Sequence, residues 1–192
     1  MLEKSFSGRK GFETRCVQLN NPFRKIWFQS LLLIVLAGAV LYALFQQEAT
    51  KESGAMPGGR APSFELEDVQ GGKLRLADYE GKGLALNFWA SWCNPCVNEL
   101  PLLNEAYKLA GFEMIAINVG EDAEAAQKFV DRYELAFPIA LDKEQQVKKR
   151  YRVVGLPLTV LIDPQGAVIE RHEGELKDMA DILRLMERLK DE

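Results

Sequence analysis

The hydrophobic pattern changes character along the chain. From Ile26 to Phe45 there are 20 residues without a charge, apolar on every side of a helix. A helix of that length spans about 30 Å, the thickness of a bilayer's hydrocarbon core. Trp27, Phe28, Tyr42 and Phe45 stand near its two ends, where aromatic rings favour the membrane interface. Residues 26–45 therefore predict a transmembrane anchor. Residues 46–60 are polar, small and rich in Gly, and read as a tether.

From Ala61 onward the pattern is that of a folded domain, 61–192. Phe64–Glu67 and Lys73–Leu76 alternate in polarity around Gln70-Gly71-Gly72, which predicts a hairpin. Leu84–Trp89 and Phe112–Val119 are apolar runs of strand length, and Phe137–Leu141 is a shorter one. Helices are predicted from the cysteine pair to about Leu109, over Ala123–Tyr133 and over Lys143–Tyr151. Pro157–Ile162 and Ala167–Arg171 flank Asp163-Pro164-Gln165-Gly166, whose residue types suit a tight turn. Met179, Ile182, Leu185, Met186 and Leu189 recur at spacings of three and four, an amphipathic helix over Asp178–Leu189. Alternating strands and helices, then a hairpin and a last helix, predict an α/β fold with a central mixed sheet covered on both faces.

Charge orients the anchor. Residues 1–25 carry six basic and two acidic residues, a net +4, which leaves −8 on the rest of a chain whose total is −4. The positive-inside rule places residues 1–25 in the cytoplasm and the domain on the extracytoplasmic side of the cell membrane, in single-pass topology. A cleaved signal peptide is the rival reading, but the run is long and Gln46–Thr50 offers no small-x-small cleavage site. An acidic main domain argues against nucleic acid as a partner. Composition, 47% hydrophobic and 27% charged, is that of a globular protein.

Three cysteines are too few for a disulfide-stapled scaffold. Cys16 is assigned to the cytoplasmic side. Trp92-Cys93-Asn94-Pro95-Cys96 follows a strand and opens a helix. Cys93 then lies at the positive end of the helix dipole beside unpaired N–H groups, and both favour a thiolate. Cys93 is expected to be exposed and to attack; Cys96 is expected to be buried and to resolve the mixed disulfide. Pro95 suits a first helical turn. A zinc site lacks a second ligand pair, with His172 the single histidine. A haem attachment site would need His where Val97 stands. No Pro-x-x-x-Thr-x-x-Cys pattern supports a peroxidase.

The segment from Leu86 to Pro101 resembles thioredoxin-like proteins, specifically the ResA/TlpA-like branch of extracytoplasmic thiol–disulfide oxidoreductases. Gly155-Leu156-Pro157-Leu158-Thr159 and Leu161–Gly166 carry the likeness further, and it covers about Ala61 to the C-terminus. The resemblance implies a thioredoxin fold with an added N-terminal hairpin, and a cis Pro157 facing the disulfide. It implies that Leu156 offers backbone hydrogen bonds to substrate. Trp92, Asn94, Pro95, Leu156 and Pro157 are the expected substrate-binding residues. Leu156 is bulkier than the Thr, Val or Ile often found there, which bears on substrate preference. Many thioredoxins carry a buried Asp where Asn87 stands. Glu99, three residues after Cys96 on the same helix face, is the expected replacement and the third catalytic residue, because the ResA-like branch has Glu there. Trp89 and Trp92 are expected to pack around the motif, and Pro101 to kink the helix.

The function so implied is reduction of protein disulfides, such as the haem-site cysteines of apocytochrome c during cytochrome c maturation. A membrane thiol–disulfide partner would supply electrons. No cofactor is expected beyond the Cys93–Cys96 disulfide, and no metal. The alternatives are a disulfide oxidase or isomerase for secreted proteins, and a thioredoxin-fold copper-binding module.

Overall fold

The computed structural model of the 192-residue chain describes residues 27, 31–42 and 55–189. The chain divides into two units, residues 1–47 and 48–192. In the first, residues 31–42 form a helix, α1, with every residue exposed. Among the described residues no helix is long and apolar enough to cross a membrane. The expectations for residues 1–25, for Cys16 and for residues 46–54 lie outside the described residues, as do residues 26, 28–30 and 43–45 of the expected anchor.

The second unit is built on one seven-stranded sheet. Its strands are β1 (Glu65–Asp68), β2 (Lys73–Arg75), β3 (Leu84–Trp89), β4 (Glu113–Val119), β5 (Ile139–Asp142), β6 (Leu158–Ile162) and β7 (Val168–Glu173). They lie in the order β2-β1-β5-β4-β3-β6-β7. β3, β4 and β5 are parallel; the other neighbours are antiparallel. The parallel pairs need helical crossovers, and α2 (Asn94–Ala110) and α3 (Ala123–Tyr133) supply them. α4 (Gln146–Arg150) follows β5, and α5 (Met179–Glu187) closes the unit.

β3 is buried along its whole length, and its side chains alternate between two cores. Leu84, Leu86 and Phe88 join Ile115, Ile117, Val160 and Tyr151 on one face. Ala85 and Trp89 join Leu100, Leu103, Met114, Ile182 and Met186 on the other, under α2 and α5. The expected three-layer α/β arrangement with an N-terminal hairpin is therefore present.

Turn chemistry follows the residue types. Asp68 Oδ1 accepts the N–H groups of Gln70 and Gly72 at 2.7 and 2.8 Å, closing the first hairpin. Asp163 Oδ1 does the same for Gln165 and Ala167 before β7. Gly111 ends α2 in the left-handed region, φ 64°, where a side chain would be strained.

Most boundaries fall within one or two residues of the pattern, and the larger differences have local causes. The helix expected over Lys143–Tyr151 is only Gln146–Arg150, because the strand continues to Asp142. The Asp142 carboxylate takes the N–H groups of Val147 and Lys148, fixing where that helix starts. β7 runs on to Glu173, pairing His172 with Thr159.

The tether also ends earlier than expected. Ala55 is buried, Gly58 N–H donates to Val168 O at 2.8 Å, and Val168 N–H donates to Gly59 O at 2.8 Å. Arg60 bridges Ala167. Residues 55–60 thus cover the outer edge of β7 instead of linking freely to Ala61. An unpaired sheet edge takes any chain that can supply backbone groups, and small or glycyl residues approach it without clash.

Candidate active site

β3 delivers the chain to the redox motif. Ala90–Trp92 turn into α2, and Cys93 is its N-cap residue, in extended conformation. Cys93 and Cys96 are joined as a disulfide, and Cys93 Sγ accepts the Cys96 N–H at 3.3 Å. Pro95 occupies the first turn, where a missing N–H costs no helical bond. Pro101 lies inside the helix, which continues to Ala110.

Cys96 is fully buried, as expected. Cys93 is 6% exposed, so the expectation of an exposed first cysteine is corrected. The disulfide draws its sulfur over the helix N-terminus, within the apolar cluster that holds Trp89 and Ala90. It is still the more accessible of the two. The tryptophans also separate. Trp89 is buried and packs on Phe129, whereas Trp92 is 67% exposed and does not pack around the motif. Asn94 and Pro95 are exposed beside it.

One turn beyond Cys96, Glu99 is 1% exposed. Its Oε1 accepts from Asn87 Nδ2 at 2.7 Å and its Oε2 from Leu176 N–H at 2.9 Å. Burial pushes its pKa up from 4.5 to about 7, against the opposing pull of the Leu176 and Asn87 donors. Asn87 Nδ2 also donates to Thr159 Oγ1 at 3.1 Å, so the network runs from α2 through β3 to β6. Asn87 Oδ1 has no protein partner. Glu99 and Asn87 were legible as positions in the sequence. Leu176 and Thr159, 77 residues from Glu99 and 72 from Asn87, were not.

A second carboxylate was missed. Glu121, just beyond β4, accepts from Ser91 N–H at 2.7 Å, from the Ser91 hydroxyl, and from Asn118 Nδ2 at 2.8 Å. It ties down the turn two residues before Cys93. Its sequence signal was Asn118, a polar residue in the buried part of the β4 run.

The Leu156–Pro157 bond is cis, as expected. Pro157 O accepts Gly174 N–H at 3.0 Å. Leu156 is half-buried and packs against the cluster containing both cysteines. Val154, three residues before Pro157, is 97% exposed. A shallow cavity of about 290 Å³ lies between this loop and the end of β7. Among the described residues no three His, Cys, Asp or Glu side chains cluster to hold a metal ion.

A thiolate at Cys93 would receive the Cys96 N–H and sit at a helix N-terminus, both of which lower a thiol pKa. Cys96, sealed from water, lies one turn from a carboxyl that titrates near neutrality. A disulfide so placed can open onto an incoming thiol or close after attack on another disulfide. Fold and site together define a thioredoxin-fold protein thiol–disulfide oxidoreductase.

Comparison with known proteins agrees. Residues 57–171 match the AhpC/TSA family. The chain is 42% identical over 154 residues to the thiol-disulfide oxidoreductase ResA of Bacillus thuringiensis subsp. konkukian, covering 79% of this chain and 89% of that one. With ResA of Geobacillus kaustophilus it shares 39% over 170 residues, covering 87% and 97%. Among solved structures, a thiol:disulfide interchange protein DsbE from Chlorobium tepidum superposes with a TM-score of 0.61 at 33% identity, over 70% of this chain and 96% of that one. The chain belongs to the AhpC/TSA family and, within it, to the ResA thiol–disulfide oxidoreductases.

Proposed function

We propose that the protein is a membrane-anchored reductase of protein disulfides outside the cytoplasm. Its substrate is the disulfide of an apocytochrome c haem-attachment site, and a membrane thiol–disulfide protein returns it to the dithiol form. Residues 26–45 span the membrane, with residues 1–25 inside.

In the dithiol form, Cys93 thiolate attacks one sulfur of the substrate disulfide. The bond between the substrate sulfurs breaks, and a mixed disulfide with Cys93 forms. Cys96 gives its proton to Glu99 carboxylate and attacks Cys93 Sγ. The substrate leaves as a dithiol, taking up protons, and Cys93–Cys96 closes. Two electrons pass from enzyme to substrate. Trp92, Asn94, Pro95, Leu156 and Pro157 form the surface on which the substrate chain rests.

The observation that carries this reading is Glu99. Its pKa of about 7 supplies, one turn from a thiol that no solvent base reaches, a group able to hold or release a proton at neutral pH. The test is the reduction potential of the Cys93–Cys96 couple in the full chain in detergent, by equilibration with thiol buffers. A value nearer thioredoxin's, about −270 mV, supports a reductase; one near DsbA's, about −120 mV, overturns it in favour of an oxidase.

A further inference from the structure

The loop that ends in the cis proline is tied to β7 and to the residue just past it. Gly174, just past that strand, holds the far end through Pro157 O at 3.0 Å. The near end is held by Arg171. This side chain is only 9% exposed although it belongs to an outer strand. Its Nη1 donates to Tyr151 O at 2.9 Å and to Ala55 O at 2.8 Å. Its Nη2 donates to Arg152 O at 3.4 Å and faces Glu173 at 3.9 Å. One guanidinium thus gathers three carbonyls from two distant stretches of chain.

The residue at the near end closes α4. Arg152 has φ 51°, and the Arg152 and Val153 N–H groups donate back to Lys149 O and Lys148 O, both at 3.0 Å, which leaves the Tyr151 and Arg152 carbonyls for Arg171. Tyr151 is fixed by its own ring against Phe88 and Phe64 and by its hydroxyl on Pro62 O. Beyond Arg152 the chain runs through Val153, the fully exposed Val154 and Gly155 to Leu156. Val153 is buried in the cluster that holds Phe64 and Tyr151, so the free part of the stretch is short. We infer that Arg171 is a positioning residue: by clasping the Tyr151 and Arg152 carbonyls it sets the conformation of residues 152–157 and so governs substrate affinity, without touching the thiols. The inference rests on the reading of Leu156 and Pro157 as substrate-contacting residues.

A planar fork can satisfy several carbonyls in one plane, whereas an ammonium is a point donor on a flexible stem. Arg171→Lys therefore keeps the charge and loses the clasp. The experiment uses the full chain in detergent and three readouts. They are the rate at which dithiothreitol reduces Cys93–Cys96, kcat and KM for a disulfide-bonded Cys-x-x-Cys-His peptide, and amide hydrogen exchange of residues 152–156. In R171K, KM is expected to rise about tenfold, a change worth ~1.4 kcal/mol. kcat and the dithiothreitol rate stay near wild type, and exchange at 152–156 accelerates. Adding Arg152→Gly, which adopts the left-handed conformation unaided, lowers KM again.

Unchanged exchange at 152–156 in R171K overturns the inference whatever the substrate. A parallel fall in dithiothreitol and peptide rates overturns it too, because Arg171 then supports the fold as a whole. If the wild type fails to reduce the peptide while loop exchange still accelerates in R171K, positioning by Arg171 stands and the substrate reading alone falls.

Discussion

Asn87 Nδ2 donates to Glu99 Oε1 at 2.7 Å, joining the central strand to the active-site helix inside a core that excludes water. Many thioredoxins place the acid on the strand. Here the strand carries the neutral amide and the helix carries the carboxyl, so the titrating group lies one turn from Cys96 on its own element. Leu176 N–H completes the cradle from the loop after β7.

That cradle makes stability depend on pH. Glu99 has its pKa raised from 4.5 to about 7 by burial. The folded state therefore holds the proton more tightly than the unfolded one. The associated stability is fully present below about pH 4.5 and is lost as pH rises through about 7. In urea titrations, Glu99→Gln should gain on the wild type by about 3 kcal/mol between pH 4.5 and pH 8. Parallel stability curves for the two proteins would show that Glu99 does not titrate in this range.

Exchange kinetics should respond to the same proton. Loss of activity toward acid pH is expected near 7 in the wild type, where Glu99 stops accepting the Cys96 proton. Asn87→Ala removes a donor that favours the carboxylate, so this limb moves to higher pH. It also leaves Thr159 and Glu99 short of a partner, at a cost of about 1–3 kcal/mol. Single-turnover disulfide exchange across pH 5–9 (about two units either side of neutrality) checks both. A limb that stays in place in N87A, and survives in E99Q, assigns it to another group.

Glu121 should matter through the turn before Cys93. Glu121→Ala leaves Ser91 N–H and the buried Asn118 amide without their acceptor, costing about 2 kcal/mol in denaturant. The same change should slow reduction by dithiothreitol, because the cysteines themselves shift. R171K should leave that rate alone. Wild-type dithiothreitol kinetics in E121A would confine Glu121 to a structural part.

Tyr151→Phe tests the attachment of the N-terminal strap. Its hydroxyl donates to Pro62 O at 2.8 Å in a buried setting. Losing that bond should cost about 1–2 kcal/mol and expose residues 55–63 to proteolysis before the rest of the domain unfolds. Cleavage there at the wild-type rate would mean that β7 and Arg171 hold the strap without it.

The chain's own pattern was enough for much of this protein. Period-two alternation around Gln70-Gly71-Gly72, apolar runs at Leu84 and Phe112, and the three-and-four spacing from Met179 to Leu189 each report a local geometry. Neighbouring residues impose those geometries through sterics and burial alone. The cysteine pair after a strand and before a helix was equally legible, and Glu99's place on the Cys96 face follows from 3.6 residues per turn. Tertiary structure decided what these residues meet. That Glu99 is sealed from water depends on Asn87 and Leu176, 12 and 77 residues away. That Ser91 is held by Glu121 depends on β3 and β4 lying in parallel register, Trp89 against Asn118. That residues 55–60 form part of the domain depends on β7 being an outer strand with an edge to cover. Composition marks such a stretch as flexible, because it is short and rich in Gly and Pro. What orders it is the backbone N–H and C=O of Val168 and the Arg171 guanidinium, more than a hundred residues further along.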